Sequence, residues 1–182
     1  ANFDRNSLDM SIDETGFLDV ESDFFRTIVE LDTENGQITN VFGYRTSSSS
    51  GIVDVDATPI SLFHSPNALE TDQISNELRY AGDLNERTKI TTGVYYFKNE
   101  LSYTEQRRLL GVLAPPGFFA LSQDGGGDYS VETLGLFASV DYDISDQLTF
   151  NGGLRYTDEE KTADIASLSR NVNSPCSVVE GT

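Results

Sequence analysis

The stretch Leu134-Gly135-Leu136-Phe137-Ala138-Ser139-Val140-Asp141-Tyr142 and its sequel Leu148-Thr149-Phe150-Asn151-Gly152-Gly153-Leu154-Arg155-Tyr156-Thr157 decide the fold. Leu134, Leu136, Ala138, Val140 and Tyr142 fall on one parity, and Gly135, Phe137, Ser139 and Asp141 on the other. In the second segment Leu148, Phe150, Gly152, Leu154 and Tyr156 oppose Thr149, Asn151, Gly153, Arg155 and Thr157. Successive side chains of a strand point to opposite faces, so a period of two predicts strands with one apolar and one polar or small face. The intervening Asp143-Ile144-Ser145-Asp146-Gln147 predicts the turn of a hairpin.

Upstream the pattern recurs twice. Ile74, Asn76, Leu78 and Tyr80 alternate with Gln73, Ser75, Glu77, Arg79 and Ala81, and after Gly82–Arg87 the residues Ile90, Thr92, Val94 and Tyr96 alternate with Lys89, Thr91, Gly93 and Tyr95. Earlier, Phe25, Thr27, Val29 and Leu31 alternate with Arg26, Ile28, Glu30 and Asp32, and Ile38, Asn40, Phe42 and Tyr44 with Thr39, Val41, Gly43 and Arg45. The Glu34-Asn35-Gly36 between them carries Asn-Gly, a hairpin signal that rests on positive φ at both central residues.

The reading is therefore an all-β antiparallel segment of about six long strands in three hairpins, at about 24–32, 37–49, 72–82, 88–103, 131–143 and 148–163. Turns inside the hairpins are short, and the connections between hairpins, about 50–71, 104–130 and 164–182, are long. Ser47–Ser50, Pro115-Pro116-Gly117 and Gly125-Gly126-Gly127 have loop composition. Alternating short and long connections is the habit of transmembrane β-barrels, with short periplasmic turns and long extracellular loops. A soluble sandwich has no reason to place every long loop at one end. Tyr44, Tyr80, Tyr96, Tyr142 and Tyr156 fall on the apolar parity near strand ends, where interfacial girdles put amphipathic rings.

Composition narrows the function. With 30 Asp and Glu against 12 Lys and Arg, the net charge is -18, and scattered basic residues do not suit nucleic acid, whose phosphates need clustered cations. Eight Tyr and eleven Phe speak against disorder. No apolar run reaches the roughly 18–20 residues of a spanning helix, which leaves a soluble β-rich domain or a barrel wall. The opening Ala1-Asn2-Phe3-Asp4 has no signal-peptide pattern, and the single Cys176 points to a free thiol or, preferably, a partner beyond residue 182.

Several segments resemble the strands of TonB-dependent outer-membrane receptors of the siderophore type. Gln73-Ile74-Ser75-Asn76-Glu77-Leu78-Arg79-Tyr80 is similar to the SxELR strand, and Gly93-Val94-Tyr95-Tyr96-Phe97 to the GxYYF strand that follows it. Leu134–Tyr142 resembles the next strand, and Leu148–Thr157 with Asp158-Glu159-Glu160-Lys161 resembles LTxxxGLRYT, the most specific of these motifs. The similarity runs over about residues 24 to 161. It implies a 22-stranded barrel around an N-terminal plug, driven by TonB, that takes up iron chelates, cobalamin or sugars across the bacterial outer membrane. TonB box, plug and terminal aromatic strand have no counterpart here, and six strands cannot close such a barrel, so an internal piece of the barrel wall is expected. Its expected partners are outer-membrane lipid and lipopolysaccharide, its own plug and remaining strands, TonB, and a small-molecule ligand, by default a metal chelate.

Candidate residues follow from the two faces. Arg45, Glu77, Arg79 and Arg155 lie on the polar parity and are expected to face the lumen, pairing with one another or with a plug. Phe118, Phe119 and Tyr129 lie in the expected 104–130 loop and are candidates for touching ligand at the barrel mouth. Asp32–Gly36 lacks the distal Glu of a calcium loop, and a turn explains it. Asp54, Asp56, Asp124, Asp128, Glu159 and Glu160 lie in or beside the outer loops, where a solvated surface explains them before divalent cations do. His64 has no acidic or Cys neighbour at metal-ligand spacing and reads as a loop residue. No nucleophile elbow, P-loop or dinucleotide fingerprint occurs, so neither an enzyme nor a cofactor is expected. The competing readings are a secreted β-sandwich or adhesin-like module and a diffusion porin.

Overall fold

The computed structural model describes residues 11–115, 120–171 and 177–179. They form one antiparallel sheet in which strand order follows chain order: β1 (Phe17–Thr33), β2 (Gly36–Asp54), β3 (Phe63–Asn85), β4 (Thr88–Leu109), β5 (Leu121–Ser145), β6 (Leu148–Asn171) and the three-residue β7 (Ser177–Val179). The only helical turn among the described residues is the short 3-10 piece Gly111–Leu113. Cys176 lies outside the described residues.

No hydrophobic side chain among the described residues is buried, whereas Leu154 is 85% and Leu18 72% exposed. A sandwich would cover such a face with a second layer, and the described residues supply none. Register shows where the apolar side chains go. Directly paired residues point to the same side, and β1 odd positions pair with even positions on β2 to β6. One face therefore carries Phe25–Leu31, Ile38–Tyr44, Ile74–Tyr80, Ile90–Tyr96, Leu134–Tyr142 and Leu148–Tyr156 at alternate positions. All five of Tyr44, Tyr80, Tyr96, Tyr142 and Tyr156 are on it, three at the end nearer the long connections and two at the other.

The edges of this band drift along the sheet. At one edge Phe25, Tyr44 and Ile74 are level, but Ile74 pairs with Lys98, so Tyr96 sits two residues back. Tyr96 pairs with Leu134, which pairs with Asp158, and Tyr156 is again two back. The other edge drifts the same way, from Leu31 to Leu148, by six residues. Four to six residues correspond to about 13–20 Å, against about 24 Å of sheet width. A band lying flat in a bilayer thus requires strands tilted by about 30–40°, close to the tilt of membrane barrels.

The tight ends are two-residue turns at Glu34-Asn35, Glu86-Arg87 and Asp146-Gln147. Register shifts at Asp83/Asn85 and Asp143/Ser145 place a bulge beside the second and third. The Asn-Gly signal at the first turn is right about the hairpin and wrong about the reason. Among the described non-glycine residues only Ala57 and Leu110 have positive φ, and Gly36 does not. Gly36 is instead needed for close approach: a Cβ there would sit 2.6 Å from the Gly82 Cα of β3, and the Asp83 amide donates to the Asn35 carbonyl at 2.7 Å.

At the other end the strands run further than the alternation indicates. Expected loops at 50–71 and 104–130 contract to 55–62 and 110–120, and Ser47–Ser50 and Gly125–Gly127 are ladder residues. Beyond the band both faces meet water, so sequence alternation fades, while backbone pairing continues, interrupted between β3 and β4 at Ser65-Pro66. Within 55–62, Asp56 accepts the Phe63 amide at 2.7 Å and the amide and hydroxyl of Thr58. The hydroxyl bond, supported by that of Phe63, holds the Asp56 carboxyl below the usual carboxylate range.

Neighbouring residues on opposite faces give a direct check. In the full-length receptor folded into lipid vesicles, Ala138→Arg on the banded face should cost about 2–4 kcal/mol of unfolding free energy. Ser139→Arg, one residue on, should cost less than about 1 kcal/mol. Equal costs in denaturant titration would mean that the band does not face lipid.

Candidate functional site

The face opposite the band carries all four charged candidates. Arg79, Gly93, Phe137 and Arg155 form one row across β3 to β6, and Glu77, Tyr95, Gly135 and Thr157 the next. Small residues on this face make room for large ones. A Cβ on Gly93 would stand 2.5 Å from the Phe137 ring, and one on Gly135 would stand 3.0 Å from Arg155 Nη2. Laid over Gly135, the Arg155 guanidinium reaches the Tyr95 ring at 5.9 Å from its centroid and donates from Nε to Thr157 Oγ1 at 3.1 Å. Tyr95 in turn stacks on Phe97, with centroids 6.5 Å apart and planes 11° from parallel. The cation–π contact is worth about 0.5–1 kcal/mol at an exposed site.

Glu77 and Arg79 pair with each other at 3.7 Å, both partly exposed, a contact that contributes little by itself. Glu77, Arg79 and Arg155 therefore surround one aromatic patch. Arg45 stands apart on the same face, donating from Nε to Ser22 Oγ at 3.3 Å.

Further from the tight turns, the same face holds a hollow of about 430 Å³. Leu101, Tyr103, Glu105, Arg107, Tyr129 and Ile165 line it over the backbone of Gly125–Gly127. Glycines on β5 leave the floor bare, and β4 and β6 supply the walls. Tyr103 donates its hydroxyl to Glu105 at 2.9 Å, and Glu105 pairs with Arg107 at 2.8 Å. Below it, Lys161 pairs with Glu159 at 2.7 Å, and Thr133 donates to Glu159 at 3.3 Å. Such an arrangement can hold a small molecule by aromatic and apolar contact with fixed charges at its rim.

Of the three mouth candidates, Tyr129 belongs to this hollow, as a strand residue rather than a loop one. Phe118 and Phe119 lie outside the described residues. Glu105 and Arg107 escape the sequence reading because the expected loop begins at 104, and Leu101 and Tyr103, inside the expected strand at 88–103, because nothing local marks them as lining a site. The signal was present: their odd numbering continues the parity of Tyr95. A second cluster, Asp13, Asp54 and His64, was also missed. Asp54 and His64 are cross-strand partners flanking the β2–β3 connection, a relation visible only once the register is known.

One face apolar over a tilted band, the other mixed and hollowed, with tight turns at one end, defines a segment of membrane-spanning β-barrel wall. Residues 2–175 match the family described as TonB dependent receptor-like, beta-barrel. The chain belongs to that family, whose members are TonB-dependent transporters of the outer membrane rather than enzymes. No curated protein matches the chain.

The close fit at Gly93 generates a paired test. Gly93→Ala should destabilise the full-length receptor by about 1–3 kcal/mol, because Phe137 and the Leu78 carbonyl leave no space for a methyl group. Gly153→Ala, whose Cβ would meet its nearest neighbour at 3.3 Å, should stay within about 0.5 kcal/mol. Urea unfolding in vesicles separates the two, and a harmless Gly93→Ala would show that the Phe137 seat is not filled as described.

Proposed function

We propose that the chain supplies barrel wall and extracellular strands for TonB-dependent uptake of a scarce nutrient, by default an iron–siderophore complex, across the bacterial outer membrane. The reading is carried by the hollow of about 430 Å³, whose size suits a small-molecule ligand. Tyr103, Tyr129, Leu101 and Ile165 offer the apolar and aromatic contact, and Arg107 the positive charge, that an anionic metal chelate uses. On this reading the mixed face lines the lumen, so Arg45, Glu77, Arg79 and Arg155 meet the plug of the same receptor. Phe118, Phe119 and Tyr129 are the candidates for ligand contact on this reading. TonB acts through that plug.

Lipopolysaccharide fits the banded face. Just outward of the band, Asp72 stands directly opposite Glu100, Glu132 opposite Glu160, and Asp128 opposite Asp164. Like charges so placed repel. Lys98 offsets Glu100 at 2.9 Å, and divalent cations shared with lipid phosphates would offset the others.

The test is uptake of radiolabelled ferric siderophores by cells carrying the full-length receptor as their only one. Uptake should vanish without TonB, and Tyr129→Ala should weaken ligand binding about tenfold, the effect of removing one aromatic anchor. TonB-independent uptake would indicate a diffusion pore. TonB-dependent growth on cobalamin or a sugar, with no response to any iron chelate, would sink the iron assignment alone.

A further inference from the structure

We propose that Asp13, Asp54 and His64 bind a divalent transition-metal ion, of which zinc is the reference, and that the ion clips the segment before β1 to the outer end of the β2–β3 hairpin. The proposal goes beyond transport and does not depend on which ligand is carried.

Three separate parts of the chain meet at this point. Asp54 and His64 form the last cross-strand pair of β2 and β3 before their connection, so their side chains share a face. Asp13 arrives from the segment ahead of β1. That segment turns at Gly16, whose φ of 69° and close approach to the Ile52 carbonyl exclude an ordinary side chain. The Gly16 amide donates to Glu14 Oε1 at 3.1 Å, which fixes the turn and brings Asp13 back over the hairpin. One donor atom from each of the three side chains then lies within 4.8 Å of the others.

The burial is unusual for a sheet whose described residues include no buried hydrophobic side chain. His64 is only 6% exposed, and its Nε2 lies 3.0 Å from Asp13 Oδ1. An imidazole–carboxylate pair accounts for that contact but not for Asp54. Its Oδ1 accepts the Ala57 amide at 2.9 Å, whereas Oδ2 is buried with no hydrogen-bond partner. Buried carboxylate oxygens are nearly always satisfied by a protein group, water or an ion. A cation shared with His64 and Asp13 satisfies Oδ2 and balances two carboxylates at once.

The donor set selects the kind of ion. One imidazole nitrogen and two carboxylate oxygens suit zinc and its first-row neighbours. Calcium and magnesium prefer shells of oxygen alone. In a tetrahedral zinc site donors stand about 3.3 Å apart, so the His64–Asp13 spacing already fits. The third donor needs to close by at most about 1.5 Å, a distance that side-chain rotation covers, and water takes the fourth position.

Full-length receptor in detergent, stripped with a chelator, should regain one high-affinity zinc equivalent on calorimetric titration with zinc chloride. His64→Ala and Asp13→Asn should each weaken that equivalent by more than about tenfold, since even outer-shell changes cost that much at metal sites. Asp13 precedes the first strand, so Asp13→Asn leaves every ladder pair in place, and heat-modifiable gel migration confirms that the barrel is folded. Zinc should also protect the peptide around residues 11–16 from protease in the wild type and not in Asp13→Asn. Zinc binding by both variants equal to that of the wild type, no binding by the wild type, or displacement of zinc by equimolar calcium would each overturn the proposal.

Discussion

The structure depends on one constraint: at bilayer depth there is no water to satisfy a backbone amide or carbonyl, so each must find its partner in the sheet. That demand explains the continuous ladders through the banded stretch from β1 to β6, with bulges only beside the tight turns, and the two-residue turns that close the hairpins. It also explains why the strands tolerate the lack of a hydrophobic core among the described residues. In a soluble domain the apolar faces would need one another; here the surrounding hydrocarbon plays that part, and the 85% exposure of Leu154 is the expected state. The same constraint points outward from the described sheet. Among the described residues β1 pairs only with β2, and β6 pairs beyond β5 only over Ser167–Ser169, so both edges of the described sheet leave backbone groups for a further strand to satisfy.

Once the register is fixed, the two faces are fixed with it, because a slip of one residue would exchange them. This couples features that look unrelated. The drift of the tyrosine-edged band sets the strand tilt, and the tilt sets which residues of β4, β5 and β6 reach the same height. Gly93 and Gly135 then accommodate Phe137 and Arg155 on the opposite face. A wall one sheet thick has no second layer to absorb surplus volume, so large and small residues must alternate within its own rows.

How much of this the sequence discloses depends on the environment. The banded halves of the strands are legible because lipid on one side and a polar interior on the other impose strict alternation, as in Leu134–Tyr142 and Leu148–Tyr156. Outward of the band that pressure ends. Ser47–Ser50 and Gly125–Gly127 look like loops because their side chains say little about pairing, while their backbones continue the ladder. The hollow is legible only in part: Tyr129 stands out as an aromatic residue near the mouth, but Glu105 and Arg107 fall in the expected loop, and Leu101 and Tyr103 carry no local mark of a shared hollow. Asp13 was illegible, since nothing local indicates that Gly16 folds its segment back onto His64.

The long outward extensions place the hollow away from the bilayer, on elements held by backbone hydrogen bonds rather than on free loops. A site on strands loses little conformational entropy when a ligand arrives, because its side chains are already positioned by the ladder. The exposed ends still need anchoring, since beyond the band neither lipid nor a core restrains them. Asp56 inside the β2–β3 connection and the Asp13–His64 contact beside it do this for one hairpin. Fixing that tip also fixes the register of β2 with β3 at its outer limit, and through the rows of paired residues it steadies the strands that carry the hollow.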